Sequence, residues 1–288
     1  MSAINVLVQR DAVHMMTDGL SYIDGVPFEV NLNKAHLLRG MRAALSATGP
    51  ALLGEFIAEH VEREFSSFDE LVSRGSVRIK GLFRQYVDTC RNGDAVSSLM
   101  LVGWPEEENR PAAYGIDMET AGSKADWVNA NNPHEGLGVA SELTELRVGF
   151  MPSPTAEIMI AAGYDFLGDL DAKDAAKDLL QVLEIQRRMT IDGVSYVGGI
   201  ATLTTVTADG VAQRVVHRWH EDRPGKKIVP ASIDWSARRA ARGKPSGAKR
   251  QMPARRAPRR VAVAQQNAEL PTRVVAAVRD ARTRRMLG

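Results

Sequence analysis

Apolar positions alternate or run in short unbroken stretches over the first fifty residues, then switch to helical spacing. Residues 3–9 and 12–18 read as the two strands of a hairpin turning at Arg10 and Asp11, and 27–32 and 35–45 as further extended segments broken at Gly40. Leu52, Leu53, Phe56, Ile57, His60, Val61 and Phe65 recur three and four apart and predict a helix. Ile79, Leu82, Phe83, Tyr86 and Val87 predict a second over about 76–91. Strands at about 97–103 and 112–117 follow, separated by the exposed loop 105–111. Residues 120–136, with Asn129, Asn131, Asn132, Pro133 and Gly136, read as loop with room for one short strand. Two more helices are predicted over 155–166 and 172–189, and strands at about 195–206 and 211–219 end the pattern. No internal repeat of 20–50 residues interrupts it.

The order is strands, two helices, strands, two helices, strands. Two helix layers of that kind cover the outer faces of two stacked sheets, which makes the expected class α+β with a four-layer αββα sandwich. Other α+β folds fit the same order. The expected division is a body over residues 2–222 and an Arg-rich, largely extended tail over 223–288.

Composition adds a charge boundary. Residues 236–288 hold 15 Lys and Arg against Glu269 and Asp280, a net charge of +13, while the preceding 235 residues hold 22 basic and 33 acidic side chains, a net of −11. An acidic body therefore precedes a basic tail. Residues 236–260 have no periodic apolar face, a composition that does not fold alone. Residues 271–287 open with Pro271 and carry Val274, Val275, Val278, Ala281 and Met286, which patterns as a short helix. Phosphates or an acidic protein surface, including a neighbouring subunit, are the expected partners of such a tail. No aromatic residue follows Trp235, so any nucleic-acid contact is directed at the backbone rather than at stacked bases.

The 288 residues are 44% apolar and 25% charged, as in an ordinary globular domain with an appendage. No apolar run approaches the ~18–20 residues of a membrane span, and the first residues lack the pattern of a signal peptide. The single cysteine, Cys90, excludes a disulfide framework and falls on the apolar face of the second predicted helix. The expected compartment is the cytoplasm.

Ser2, Asp18 and Lys34 carry the candidate chemistry, with Asp18 and Lys34 lying 16 and 32 positions after Ser2. The stretches 3–9 and 12–18, the segment Asn33-Lys34-Ala35-His36-Leu37, the turn Leu45-Ser46-Ala47-Thr48-Gly49, the strand patterns at 97–104 and 114–117, Gly198-Gly199 and Asp209-Gly210 accompany them. Together these resemble proteasome β-subunits and their bacterial two-ring relatives, which are N-terminal-nucleophile (Ntn) hydrolases. The match covers roughly residues 2–218 and is poor between about 120 and 165. The resemblance implies an Ntn-type αββα sandwich and a peptidase or amidase that uses no cofactor and assembles into rings on a peptide or protein substrate. It makes Ser2 the nucleophile once Met1 is removed, where the family has Thr. Asp18 and Lys34 become its support, and Thr48, or Gly49 one position on, the backbone oxyanion donor.

The chemistry suits those roles. A free α-amine beside the hydroxyl serves as its base and titrates near ~8. A lysine keeps that amine neutral and favours the alkoxide, and an aspartate holds the lysine charged. Shared even numbering does not align residues of different strands, because turns set register.

The sequence also departs from the family. Val194 and Val197 stand where a supporting aspartate and serine are expected, with Asp192 and Ser195 two residues out of register. Those losses point to the alternative function, an inactive member of the fold acting as a structural or assembly component, such as one of a phage particle, with the tail as a tether. His14 and His36 read as packed or hydrogen-bonded core groups. His217, His220, Glu221 and Asp222 read as a solvated loop rather than a metal site, and HExxH, paired CxxC and P-loop motifs are absent.

Overall fold

A computed structural model describes residues 2–23, 25–50, 52–90, 96–119, 142–164, 174–191, 193–235 and 237. The fold is mixed α+β and built on antiparallel sheets. The first sheet has the order β10-β1-β2-β13-β14, from strands β1 (Ile4–Val8), β2 (Val13–Asp18), β10 (Val148–Met151), β13 (Ile200–Thr207) and β14 (Gly210–Arg218). The second has the order β5-β6-β7-β8-β9, from β5 (His36–Leu38), β6 (Ala43–Ala47), β7 (Val96–Gly103), β8 (Ala112–Glu119) and β9 (Thr144–Leu146). Two small ribbons complete it: β3 (Ser21–Ile23) with β4 (Val26–Glu29), and β11 (Thr190–Ile191) with β12 (Val194–Ser195).

Strand alternation divides the core into three clusters. One face of β6 and β7 presents Ala43, Leu45, Leu99 and Leu101 to the helices α1 (Leu53–Glu64) and α2 (Phe68–Cys90), whose Phe56, Val61, Leu82 and Phe83 are fully buried. The opposite face presents Ala44, Met100 and Val102 to Ile4, Val6 and Met15 of the first sheet. The far face of that sheet sends Leu7, Met16 and Leu203 against Leu179, Val182 and Leu183 of α4 (Ala175–Gln186), with Met159 of α3 (Ala156–Ala161) beside them. Both faces of β1, β2 and β7 are covered, which is why these strands read as apolar runs rather than as clean alternation. Each large side chain so buried contributes roughly 1.5–3 kcal/mol.

Helix starts follow local chemistry. The Asp174 side chain accepts from Lys177 N at 3.0 Å and the Thr155 hydroxyl from Ile158 N at 3.2 Å. At α2, Ser67 Oγ accepts from Glu70 N at 3.1 Å while the Glu70 carboxylate takes the Ser66 N–H at 2.9 Å, a reciprocal cap that starts this helix at Phe68, eight residues earlier than its apolar stripe predicts. Cys90 ends α2, half-buried against the first cluster. Among the described residues no helix is long and apolar enough to cross a membrane.

The chain beyond Asp222 stays on the body as far as Trp235. Gly225 N donates to Pro27 O at 2.8 Å, Ile228 is buried, Arg188 Nε donates to Ala231 O at 3.1 Å, and Trp235 packs on the cluster around α4. The basic stretch from 238 to 288, including the helical pattern at 271–287, lies outside the described residues, as does the whole loop predicted at 120–136.

The two strand histidines are half-buried. His14 Nδ1 meets Thr205 Oγ1 at 2.9 Å and Nε2 meets Gln9 Oε1 at 3.1 Å, and His36 packs against Gly54 of α1. Burial pushes both imidazoles from the ordinary 6.5 down to about 4. Between those values the unfolded chain binds protons that the folded one refuses, so stability rises with pH there. The stabilising effect of the neutral rings is complete above pH 6.5 and is lost as pH falls toward about 4. Urea midpoints measured across this window should fall with acidification, and a double His14→Gln and His36→Gln variant should flatten the slope.

Candidate functional site

β1 and β2 form the predicted hairpin with Ile4 opposite Thr17, which puts Ala3 opposite Asp18 and Ser2 at the mouth of the pair. Asp18 is fully buried, Lys34 is 8% exposed and Ser2 is 9% exposed. Asp18 gathers the site. Its Oδ1 accepts from Ala3 N at 2.9 Å and from Lys34 Nζ at 2.7 Å. Its Oδ2 accepts from Leu20 N at 3.1 Å and from Gly198 N at 3.4 Å. The carboxylate is therefore held by one ammonium and three backbone N–H groups. Lys34 reaches it from the connection between β4 and β5.

Burial pulls the Lys34 ammonium below its ordinary pKa of 10.5, and the Asp18 charge and hydrogen bond pull it back up. A lysine so placed is a pinned cation whose proton is more easily surrendered than a surface lysine's. The Ser2 hydroxyl has no hydrogen-bond partner among the described residues. Of the other two predicted residues, Asp18 meets Lys34 directly and is linked to Ser2 only through the backbone of its neighbour Ala3.

Thr48 and Gly49 follow β6 in the other sheet. The Thr48 N–H is already committed to Ser98 O at 2.9 Å, and its hydroxyl accepts from Ser98 N at 2.9 Å. The Ser97 hydroxyl donates to Thr48 O at 2.5 Å. Of the two predicted donors, Gly49, at φ +94°, is the one whose N–H is uncommitted among the described residues. Its left-handed backbone favours glycine.

Sequence reasoning missed several contributors. Gly198-Gly199 is a close-packed corner, since a Cβ at Gly199 would lie 2.1 Å from Val30 O and its φ is +76°. The Gly198 N–H contact to Asp18 carries no side-chain signal. Ser195 donates from its hydroxyl to Arg187 O at 2.6 Å, while Asp192 lies outside the described residues. In the stretch 217–222, His220 and Glu221 are exposed as its charges suggest, but two of its side chains turn inward. Trp219 and Asp222 are buried, and Asp222 pairs with Arg187. The link that places Arg187 there is also polar. Asn5 of β1 and Gln186 of α4 exchange hydrogen bonds at 2.7 and 2.8 Å, and Gln186 adds one to Pro152 O at 2.8 Å. No group of three or more His, Cys, Asp or Glu among the described residues has metal-holding geometry. No protein-family model and no curated protein matches the chain.

Proposed function

We propose that the chain is an Ntn hydrolase of the proteasome β-subunit type, with its two sheets and flanking helices forming a four-layer αββα sandwich, and that it cleaves a peptide or amide bond with Ser2. The observation that carries the reading is the convergence of Ala3 N and Lys34 Nζ on one oxygen of the buried Asp18, immediately beside Ser2. With Met1 removed, Ser2 Oγ attacks the carbonyl carbon. The Ser2 amine takes the hydroxyl proton, and the pinned Lys34 cation lowers the cost of both the neutral amine and the developing alkoxide. The Gly49 N–H is the donor for the oxyanion. The tetrahedral adduct collapses to an ester on Ser2 as the leaving amine takes the proton, and water then hydrolyses the ester. Assembly into a homo-oligomeric ring with inward-facing sites belongs to the same reading.

The test starts from intact mass. Purified protein lacking Met1 is treated with a reagent that acylates or alkylates N-terminal hydroxyl residues, and peptide mapping locates the adduct. Mass added at Ser2 supports the hydrolase. No adduct on protein shown to lack Met1 overturns it and favours the second reading, a structural member of the same fold. Two observations favour that second reading: valines at 194 and 197, where the resembled family has an aspartate and a serine, and the commitment of the Thr48 N–H to Ser98.

A further inference from the structure

A second buried ion pair stands behind the Asp18–Lys34 pair, and the chemistry above does not use it. Arg187, 1% exposed, follows α4, and its guanidinium meets Asp222, 4% exposed, in a two-pronged contact: Nη1 to Oδ2 at 2.7 Å and Nη2 to Oδ1 at 2.6 Å. The guanidinium also lies over the Trp219 ring, 4.9 Å from its centroid, and Nη2 reaches Glu221 at 3.2 Å.

The pair clamps the backbone on both sides of Gly198. Arg187 Nη1 donates to Val197 O at 3.0 Å, and Asp222 Oδ2 accepts the Gly199 N–H at 2.7 Å. The held peptide then serves the site, with Gly198 N donating to Asp18 Oδ2 at 3.4 Å and Gly198 O accepting from Gly19 N at 3.0 Å. Proximity makes glycine necessary, because a Cβ at position 198 would sit 2.3 Å from Arg187 Nη1 and 2.4 Å from Asp222 Oδ2.

A buried ion pair is weak evidence for stability, since desolvation offsets most of its attraction and an apolar pair of equal volume packs as well. What the charged pair supplies here is direction: a fixed fork on a carbonyl and a fixed acceptor for an N–H, two residues apart. We propose that Arg187 and Asp222 are positioning residues for the Asp18–Lys34 pair, acting through the Gly198 peptide.

The proposal rests on the Ser2 reading only for its activity measurement; its first measurement is independent of that reading. The full-length Arg187→Met, Asp222→Leu double variant removes the pair without leaving a lone buried charge and is expected to stay folded. The readout is the titration of the Lys34 side chain, followed by NMR in lysine-labelled protein and assigned by its loss in Lys34→Met. Asp18 is the charged group in contact with Lys34 among the described residues. When Asp18 Oδ2 loses the Gly198 donor, more of its charge falls on Lys34, and the Lys34 midpoint is expected to rise by about one pH unit. If the double variant does not fold, Asp222→Glu keeps the charge while displacing the acceptor, and the same rise is expected. A folded variant whose Lys34 midpoint does not rise overturns the proposal and leaves the pair a packing element. The second readout is covalent labelling of Ser2, expected to slow about tenfold in the same variants. Wild-type protein that fails to label sinks the Ser2 reading alone, and the Lys34 midpoint still decides the positioning role.

Discussion

Ser2→Ala is expected to remove hydrolysis of peptide amides altogether, a loss of roughly 10³-fold or more, because nucleophile and support act as one unit. Its stability should stay within about 0.5 kcal/mol of the parent, since one small hydroxyl without a hydrogen-bond partner among the described residues is lost. Ser2→Thr should keep activity, as Thr offers the same hydroxyl and the same α-amine. Lys34→Ala should be as inactive as Ser2→Ala for a different reason: the hydroxyl and amine remain, but the cation that holds the amine neutral is gone. The measurement is initial rate on a panel of fluorogenic peptide amides, with each variant checked by mass for loss of Met1. Equal rates for parent and Ser2→Ala would assign any hydrolysis to another group or to a contaminant.

Those expectations rest on positions that were legible in the sequence, and the reasons differ from element to element. The hairpin of β1 and β2 was legible because its strands are short and dense in apolar residues on both sides of the turn at Arg10 and Asp11. Helices α1 and α4 were legible from spacing, since one stripe of each faces a sheet. The Asp18–Lys34 contact was expected from a resemblance, and periodicity alone would not have found it, because Lys34 lies in an irregular connection whose course depends on the turns before it.

The rest was hidden where tertiary contacts override local pattern. β3 pairs with β4, which the extended segment at 27–32 overlaps, yet Ile23, Val26 and Phe28 stay exposed, so β3 has no buried face to announce it. β9 and β10 are three- and four-residue edge strands, each hydrogen-bonded to a single neighbour. The predicted strand over 195–206 is divided, because the Gly198-Gly199 corner leaves the ladder to reach Asp18 and Asp222. Asp222 itself stands among His220, Glu221 and Arg223 and reads as solvated; its burial is set by Arg187, 35 residues away in the chain. Local charge density says where side chains prefer to be, and a buried partner that remote is invisible to it.

Asp18→Ala is expected to destabilise the fold more than any other single change at the site. The substitution strands a lysine that is 8% exposed and removes the acceptor of Ala3 N, Leu20 N and Gly198 N at once. Breaking a buried pair from one side costs about 3–5 kcal/mol, because the remaining charge is left without compensation. Lys34→Met should cost less: it removes the charge but fills the space, and Asp18 keeps its three backbone donors. The double variant should lose less than the sum of the two singles, since the stranded ammonium that dominates Asp18→Ala is then absent. The pH dependence separates this from simple cavity formation. Burial already holds the Lys34 pKa below 10.5, and without Asp18 nothing opposes that effect, so the unfolded chain binds the lysine proton more readily than the folded one. Stability of Asp18→Ala must then rise with pH as the ordinary lysine range is approached. Urea unfolding at neutral pH and near pH ~9.5 should show the deficit shrinking for Asp18→Ala and not for Lys34→Met. A deficit for Asp18→Ala that is no larger than that of Lys34→Met, and flat with pH, would show that no buried charge depends on Asp18.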